Sequence, residues 1–309
     1  MARRKTPPKT LHHPPESGRI TGTVSRDGKR FRHPVSPRLK KPLGLPTRGK
    51  TAHNRLRRTD TFLALCYPDL IRHLPGLYVD LGFGEEPATT VETAFRLRRL
   101  NPELCILGVE IDRARVAAAQ PFSGPGLEFR LGGFNLPLRE GECASVIRAM
   151  NVLRQYPESE YGASIGLLAQ YLPQGGLLLE GTSDPAGALM AFNLFLRAGG
   201  NLVHEGLVFS VRLRHPFEPR DLQAVLPKNL IHHVETGSPM DRFFEDWSLT
   251  WRRARKSSPA DPRLRLEHSA RHLAVDFGYP IDLRPAILRR GFVRMRTIPQ
   301  PGPAFPLSK

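Results

Sequence analysis

The chain has 309 residues, yet only three cysteines, an aromatic share of 8%, and almost no acid in its first sixty positions. Cys66, Cys105 and Cys143 form no C-x-x-C pair and have apolar or helical neighbours. They read as buried free thiols, which suits a reducing cytoplasm. No apolar run approaches the roughly 20 residues that span a bilayer, so no membrane passage is expected. The opening Met-Ala-Arg-Arg-Lys has the charge of a signal n-region, but no apolar h-region follows it. An Arg-rich, acid-poor start also suits a transit peptide, but its many prolines oppose the amphipathic helix such peptides need.

Hydrophobic residues make up 40% of the chain, enough for a substantial core. The net charge of +17 is uneven. Residues 1–60 hold 17 Lys or Arg against Glu16, Asp27 and Asp60, whereas the remainder holds 29 basic and 26 acidic residues. The basicity is therefore read as a property of the N-terminal segment. Residues 1–46 are rich in Pro, Lys, Arg and His, and cannot bury enough apolar surface to offset ordering entropy. They are expected to form a disordered basic tail, with a short ordered patch conceivable at Ile20 to Val24. Phosphate attraction is sequence-independent, so such a tail suits RNA or a ribosomal partner; a solubilising tail is the bland alternative. Phe31 is the tail's one aromatic, which gives base stacking little support.

Beyond the tail the pattern alternates. A helical pre-core or lid segment covers 47–76, with Pro68 breaking the run. The core, 77–215, begins with the strand Leu77 to Leu81. A helix from about Pro87 to Leu100 follows, where Thr89 and Glu92 have capping-box spacing. The strand Cys105 to Val109 precedes a helix at Arg113 to Ala119, with Asp112 expected to cap it. Strands follow at Leu127 to Leu131, Val146 to Met150, Leu177 to Glu180 and Leu207 to Leu213. Helices fall between them at about Glu158 to Leu172 and Ala186 to Arg197. Strict alternation predicts an α/β fold, a mostly parallel sheet with helices on both faces. A mainly helical extension covers 216–298, and 299–309 reads as a flexible tail.

The most informative stretch is Val79-Asp80-Leu81-Gly82-Phe83-Gly84, an apolar strand ending in an acid and then a glycine turn. The next strand ends in Glu110. Such a unit holds a nucleoside-containing cofactor at the carboxyl ends of parallel strands. A dinucleotide fingerprint wants Gly or Ala where Pro87 stands, which disfavours NAD, and no P-loop is present.

Acid-x-Gly-x-Gly with an acid at the second strand tip resembles the class I S-adenosylmethionine-dependent methyltransferases, a Rossmann-like fold. Within them, the segment Thr47 to Arg58 is similar to a pre-core segment of a bacterial subgroup of unassigned substrate. The resemblance covers about Leu77 to Leu213. Further segments fit in order: Leu131 to Leu138, Ile147 to Leu153, and Leu172-Pro173-Gln174-Gly175-Gly176-Leu177. The resemblance implies S-adenosyl-L-methionine as cofactor, with Asp80, Gly82 and Gly84 in its loop and Glu110 on the ribose hydroxyls. A carboxylate accepts from both hydroxyls, and glycines permit close backbone approach. At the third-strand loop, either Phe134 stacks on the adenine or Asn135 bonds its amino group.

The fourth-strand tip is where the acceptor is expected. Arg148, Asn151 and Tyr156 are the catalytic candidates, with Arg154 and Gln155 nearby. The Asn/Asp-Pro-Pro-aromatic motif of amino-methylating enzymes is absent, and no cysteine has the setting needed for pyrimidine C5 methylation. Arg148 either holds an anionic acceptor or pairs with Glu110 or Glu180, and pairing is favoured. Glu180 to Asp184 should border the cleft. Thr47 to Arg58 is read as a lid bringing Arg48, Asn54 and Arg55 to the cleft. His232-His233 is read as exposed or capping, and no metal site is expected. The expectation is methyl transfer to an unidentified acceptor, with RNA favoured. The alternative is a methyltransferase fold that has lost catalysis and serves as an RNA-associated binding protein.

Overall fold

The computed structural model describes residues 41–46, 51–258 and 260–298. The Ile20 to Val24 patch, Arg48 and the tail from Pro299 lie outside them. A pre-core helix α1 (Arg57–Cys66) is followed by α2 (Pro68–Arg72), which Pro68 begins. The core then runs β1 (Leu77–Leu81), α3 (Ala88–Leu97), β2 (Ile106–Glu110), α4 (Arg113–Ala119), β3 (Leu127–Leu131), β4 (Ala144–Met150), α5 (Tyr161–Ala169) and β5 (Leu177–Ser183). After it come β6 (Leu189–Ala198), β7 (Asn201–Val211), α6 (Lys228–Ile231), α7 (Pro239–Ser257), α8 (Pro262–Phe277), α9 (Pro285–Leu288) and β8 (Phe292–Met295).

The eight strands form one sheet in the order β3-β2-β1-β4-β5-β6-β7-β8. The first five are mutually parallel. Strand order reverses between β1 and β4, and there the carboxyl ends splay to leave a crevice. The side chains alternate between faces. Tyr78, Ile106, Val146 and Leu177 pack with Phe62 of α1, Leu97 of α3 and Trp247 of α7. Val79, Leu107, Ile147 and Leu178 pack with Ile165 and Leu168 of α5. Helices thus cover both faces of a mostly parallel sheet, a Rossmann-like α/β architecture.

Three expectations are corrected here. Residues 186–197 do not form a crossover helix. Leu189 to Leu196 is rich in large apolar residues with no polar face of helical period, and β6 is buried over most of its length. Gly199 (φ 56°) and Gly200 (φ 81°) form the two-residue turn into β7, the backbone that a tight hairpin requires. The chain therefore leaves the strict alternation after β5, and β6, β7 and β8 pair antiparallel. The proposed capping box also fails: Pro87 stands at the cap of α3 with no side-chain cap. Thr89 turns to Asp80, and Glu92 to the Asn54 amide. Asp112 does cap α4, accepting from the amides of Ala114 (2.8 Å) and Arg115 (3.2 Å).

The charge reading needs revision too. Residues 251–309 carry 13 Lys or Arg against four acids, whereas 61–250 carry 16 against 22. Basicity belongs to both ends of the chain, and the body between them is acidic. The three thiols are free and half-buried.

Candidate functional site

The crevice sits over the carboxyl ends of β1, β2 and β4. Gly82 (φ 74°) and Gly84 (φ 87°) turn the chain out of β1 with backbone that only glycine adopts readily. Glu110, at the tip of β2, is buried beside that loop. One carboxylate oxygen accepts from the Gly84 amide at 2.9 Å. The other accepts from the amides of Ile111 at 2.9 Å and Asp112 at 3.4 Å. The Arg115 guanidinium lies 3.8 Å away. Glu110 and the glycine loop are thus brought together across the β1–β2 boundary, as the sequence pattern predicts. The carboxylate also fixes the loop's path.

Asp80 goes elsewhere. Period two places Tyr78 and Asp80 on one face of β1, toward α1 and α3. Arg148 of β4 holds Asp80 with two parallel bonds, Nε to Oδ1 at 2.9 Å and Nη2 to Oδ2 at 2.7 Å. Its third nitrogen reaches Asp60 of α1 at 2.8 Å, with Thr93 at 2.9 Å and Thr59 at 3.2 Å. Thr90 donates to Asp80 and Arg96 to Asp60. Arg148 is 0% exposed. Burial opposes its charge, but Asp80, Tyr78 and Asp60 outweigh that and hold its pKa above the usual value. Arg148 therefore pairs, as favoured, but with Asp80 and Asp60 rather than Glu110 or Glu180. The pairing stitches the pre-core helix to the sheet. Asp60, an acid amid the buried Thr59, Phe62 and Leu63, was the signal that sequence reading passed over.

The other candidates surround a cavity of about 380 Å3 lined by Thr51, Arg55, Gly82, Gly84, Met150 and Asn151 among others. Asn151 adopts a left-handed backbone (φ 62°) at the tip of β4. Its side chain bonds the Ser183 hydroxyl at 3.1 Å and accepts from the Ser183 amide at 2.9 Å. Arg55 reaches the same serine and the Asp184 carbonyl. Burial pulls its pKa below the ordinary value, and Asp184 partly restores it. Thr51 donates to the Phe83 carbonyl at 2.8 Å. The pre-core segment therefore closes one side of the cleft through Thr51 and Arg55. Asn54 instead bonds Glu92 and Arg96 outside it.

A second cavity of about 260 Å3 lies on the far side of Gly82, against Glu110, Ile111, Phe134 and Tyr156. Residues 41–46, included above in the basic tail, lie against this side. Phe134 and Asn135 both bond that segment: the Phe134 amide donates to the Leu43 carbonyl at 2.9 Å, and Asn135 Oδ1 accepts from the Leu43 amide at 2.7 Å. The Tyr156 ring meets Phe134 edge-on at 5.3 Å, and its hydroxyl accepts from the Leu45 amide.

Glu180 does not border the cleft. It is buried between α5 and β6, accepting from the Tyr161 hydroxyl at 2.8 Å and from Asn193 at 3.2 Å. Burial pushes its carboxyl up to about 7, against the opposing pull of those two donors. A raised carboxyl pKa stabilises the fold fully below about pH 4.5. That contribution, about 3 kcal/mol, is lost as pH rises through 7. Glu180→Gln is therefore expected to flatten the fall in melting temperature between pH 5 and 8. An unchanged slope would show that Glu180 is charged throughout. Among the described residues, no group of three or more His, Cys, Asp and Glu is placed to hold a metal. His233 pairs with Glu158. No helix among them is long and apolar enough to cross a membrane.

No protein-family model matches the chain, and no curated protein matches it. Solved structures are similar to parts of it. A SAM-bound amino pentose methyltransferase from Micromonospora echinaspora is 22% identical (TM-score 0.33), over 54% of this chain and 66% of that one. The magnesium protoporphyrin IX methyltransferase from Synechocystis PCC 6803, with bound SAH, is 21% identical (TM-score 0.30), over 43% and 61%. The methyltransferase domain of the citrinin polyketide synthase is 21% identical (TM-score 0.34), over 41% and 34%. This chain thus spans between a third and two thirds of the length of those chains. By its own strand order β3-β2-β1-β4-β5, with those five strands parallel and a crevice at the switch point, the chain has a Rossmann-like α/β fold.

Proposed function

We propose that the chain binds S-adenosyl-L-methionine in this crevice and transfers its methyl group to an acceptor. The observation that carries this reading is the buried Glu110 carboxylate set against the Gly82–Gly84 turn. A carboxylate at that strand tip suits a pair of ribose hydroxyls. The start of α3, which no side chain caps, follows the turn and suits a carboxylate. When bound, the sulfonium supplies an electrophilic methyl. The chain's part is to orient both partners and exclude water. Thr51 and Arg55 close one side, and Asn151, locked to Ser183, shapes the floor. Arg148 and Asp80 are positioning residues beneath that floor.

RNA is the acceptor class that the basic ends of the chain support best. A second reading, a binding protein without catalysis, draws on residues 41–46 lying against the crevice and on Asp80 being engaged by Arg148, Thr89 and Thr90. The test is incubation with methyl-labelled cofactor and separated RNA, protein and metabolite pools. Label in RNA supports the first reading in full, and label in another pool corrects the acceptor. Cofactor binding by calorimetry with no label transferred supports the second. No binding at millimolar cofactor overturns both.

A further inference from the structure

Adenine presents, on its Watson–Crick edge, an N–H donor beside a ring-nitrogen acceptor. Leu43 presents the same pair from its backbone. Its N–H donates to Asn135 Oδ1 at 2.7 Å and its carbonyl accepts from the Phe134 N–H at 2.9 Å. Four further features hold the segment there. Asn135 also donates to the Lys41 carbonyl at 3.3 Å, and Gln155 to the Leu45 carbonyl at 3.1 Å. The Leu45 amide donates to the Tyr156 hydroxyl. Gly44 lies so close that a Cβ on it would stand 2.7 Å from that hydroxyl, 3.6 Å from Ile111 and 3.7 Å from Phe134. At Gly133 a Cβ would strike the Leu43 carbonyl oxygen at 2.0 Å, so the wall is shaped to the strap. Leu43, Gly44 and Leu45 themselves line the space left beside Gly82, Glu110 and Phe134.

We infer that Lys41–Pro46 is an intramolecular ligand of the cofactor crevice, which competes with the adenine ring and must leave before an adenosyl ligand enters. This rests on the cofactor reading above. The strap bonds the groups that a purine edge would need, so the two occupants exclude each other. The apparent affinity for cofactor then falls by the fraction of molecules in which the strap is bound. A factor binding Lys41–Pro46 away from the crevice would raise cofactor affinity without touching the crevice walls.

Two measurements on the full chain test this. The first is calorimetry with S-adenosylhomocysteine on the wild type and on Gly44→Val. The new side chain would strike Tyr156, and Gly44 has φ 138°, which valine does not tolerate. The two backbone bonds predict binding tighter by about tenfold in the variant. Leu43→Pro, which removes the N–H given to Asn135, is expected to do the same and guards against a folding defect peculiar to Gly44→Val. Equal or weaker affinity in both variants overturns the competition while leaving the cofactor reading standing. Failure of all three proteins to bind at millimolar ligand overturns the cofactor reading itself. The second measurement is amide hydrogen exchange in the wild type. Saturating S-adenosylhomocysteine is expected to speed exchange at Leu43 and Leu45. Slower exchange there would make the segment a cover over bound cofactor, and overturn the competition.

Discussion

Arg148→Met is expected to destabilise the fold by about 3–5 kcal/mol, measured by chemical denaturation, because it leaves the buried Asp80 carboxylate without a cation and the buried Asp60 carboxylate with Arg96 alone. Asp80 is 2% and Asp60 1% exposed, and among the described residues Arg148 is the one that bonds both. Methionine restores much of the arginine's bulk, so lost charge dominates over lost volume. Adding Asp60→Asn and Asp80→Asn to the same chain should recover a large part of the loss, since neutral amides do not need the guanidinium. Arg96 would then keep a neutral partner, a smaller cost. A loss under about 1 kcal/mol for the single variant would mean that the network contributes little beyond packing. The same variant separates positioning from chemistry. If Arg148 only anchors α1, the surviving folded protein keeps its cofactor affinity.

Glu110→Ala should weaken S-adenosylmethionine binding by about 10- to 100-fold in calorimetry, the range expected when a charge-assisted hydrogen bond is lost from a closed site. Two effects combine. On the proposed reading the ribose hydroxyls lose their acceptor, and the Gly84 and Ile111 amides lose the carboxylate that fixes the loop. Glu110→Gln separates them, because its amide oxygen can still accept from one side while its NH2 cannot accept at all. Its affinity should fall between wild type and Glu110→Ala. Unchanged affinity in Glu110→Ala would remove this residue from the site.

The elements that were legible in the sequence are those whose signals are local. The acid-bearing strands β1 and β2, the glycine turn, and the Asp112 cap depend on a few neighbouring residues, and only β2 moved, by one residue. Pro68 likewise marked the start of α2. The misreadings have one physical origin. Leu189 to Ala198 carries too continuous an apolar run to reveal its period, and Gly199-Gly200 was the turn signal that pointed to a hairpin. Thr89 and Glu92 have capping spacing, but stronger partners, Asp80, Asn54 and Arg96, won them. Arg148 showed itself as an anomaly in an apolar strand, yet its partners lie 68 and 88 residues away, beyond any local pattern.

By itself the sequence determined the parallel α/β core, the position of the glycine turn, and the acid that faces it, because period, turn chemistry and strand-end charge act within a few residues. Only the tertiary structure decided that Asp80 belongs to a buried ion network rather than to the crevice. It alone decided that the sheet closes with an antiparallel hairpin and β8, and that residues 41–46 return to bond Phe134 and Asn135. Those outcomes depend on which groups meet across the sheet, and a polar group buried there takes the partner that geometry supplies.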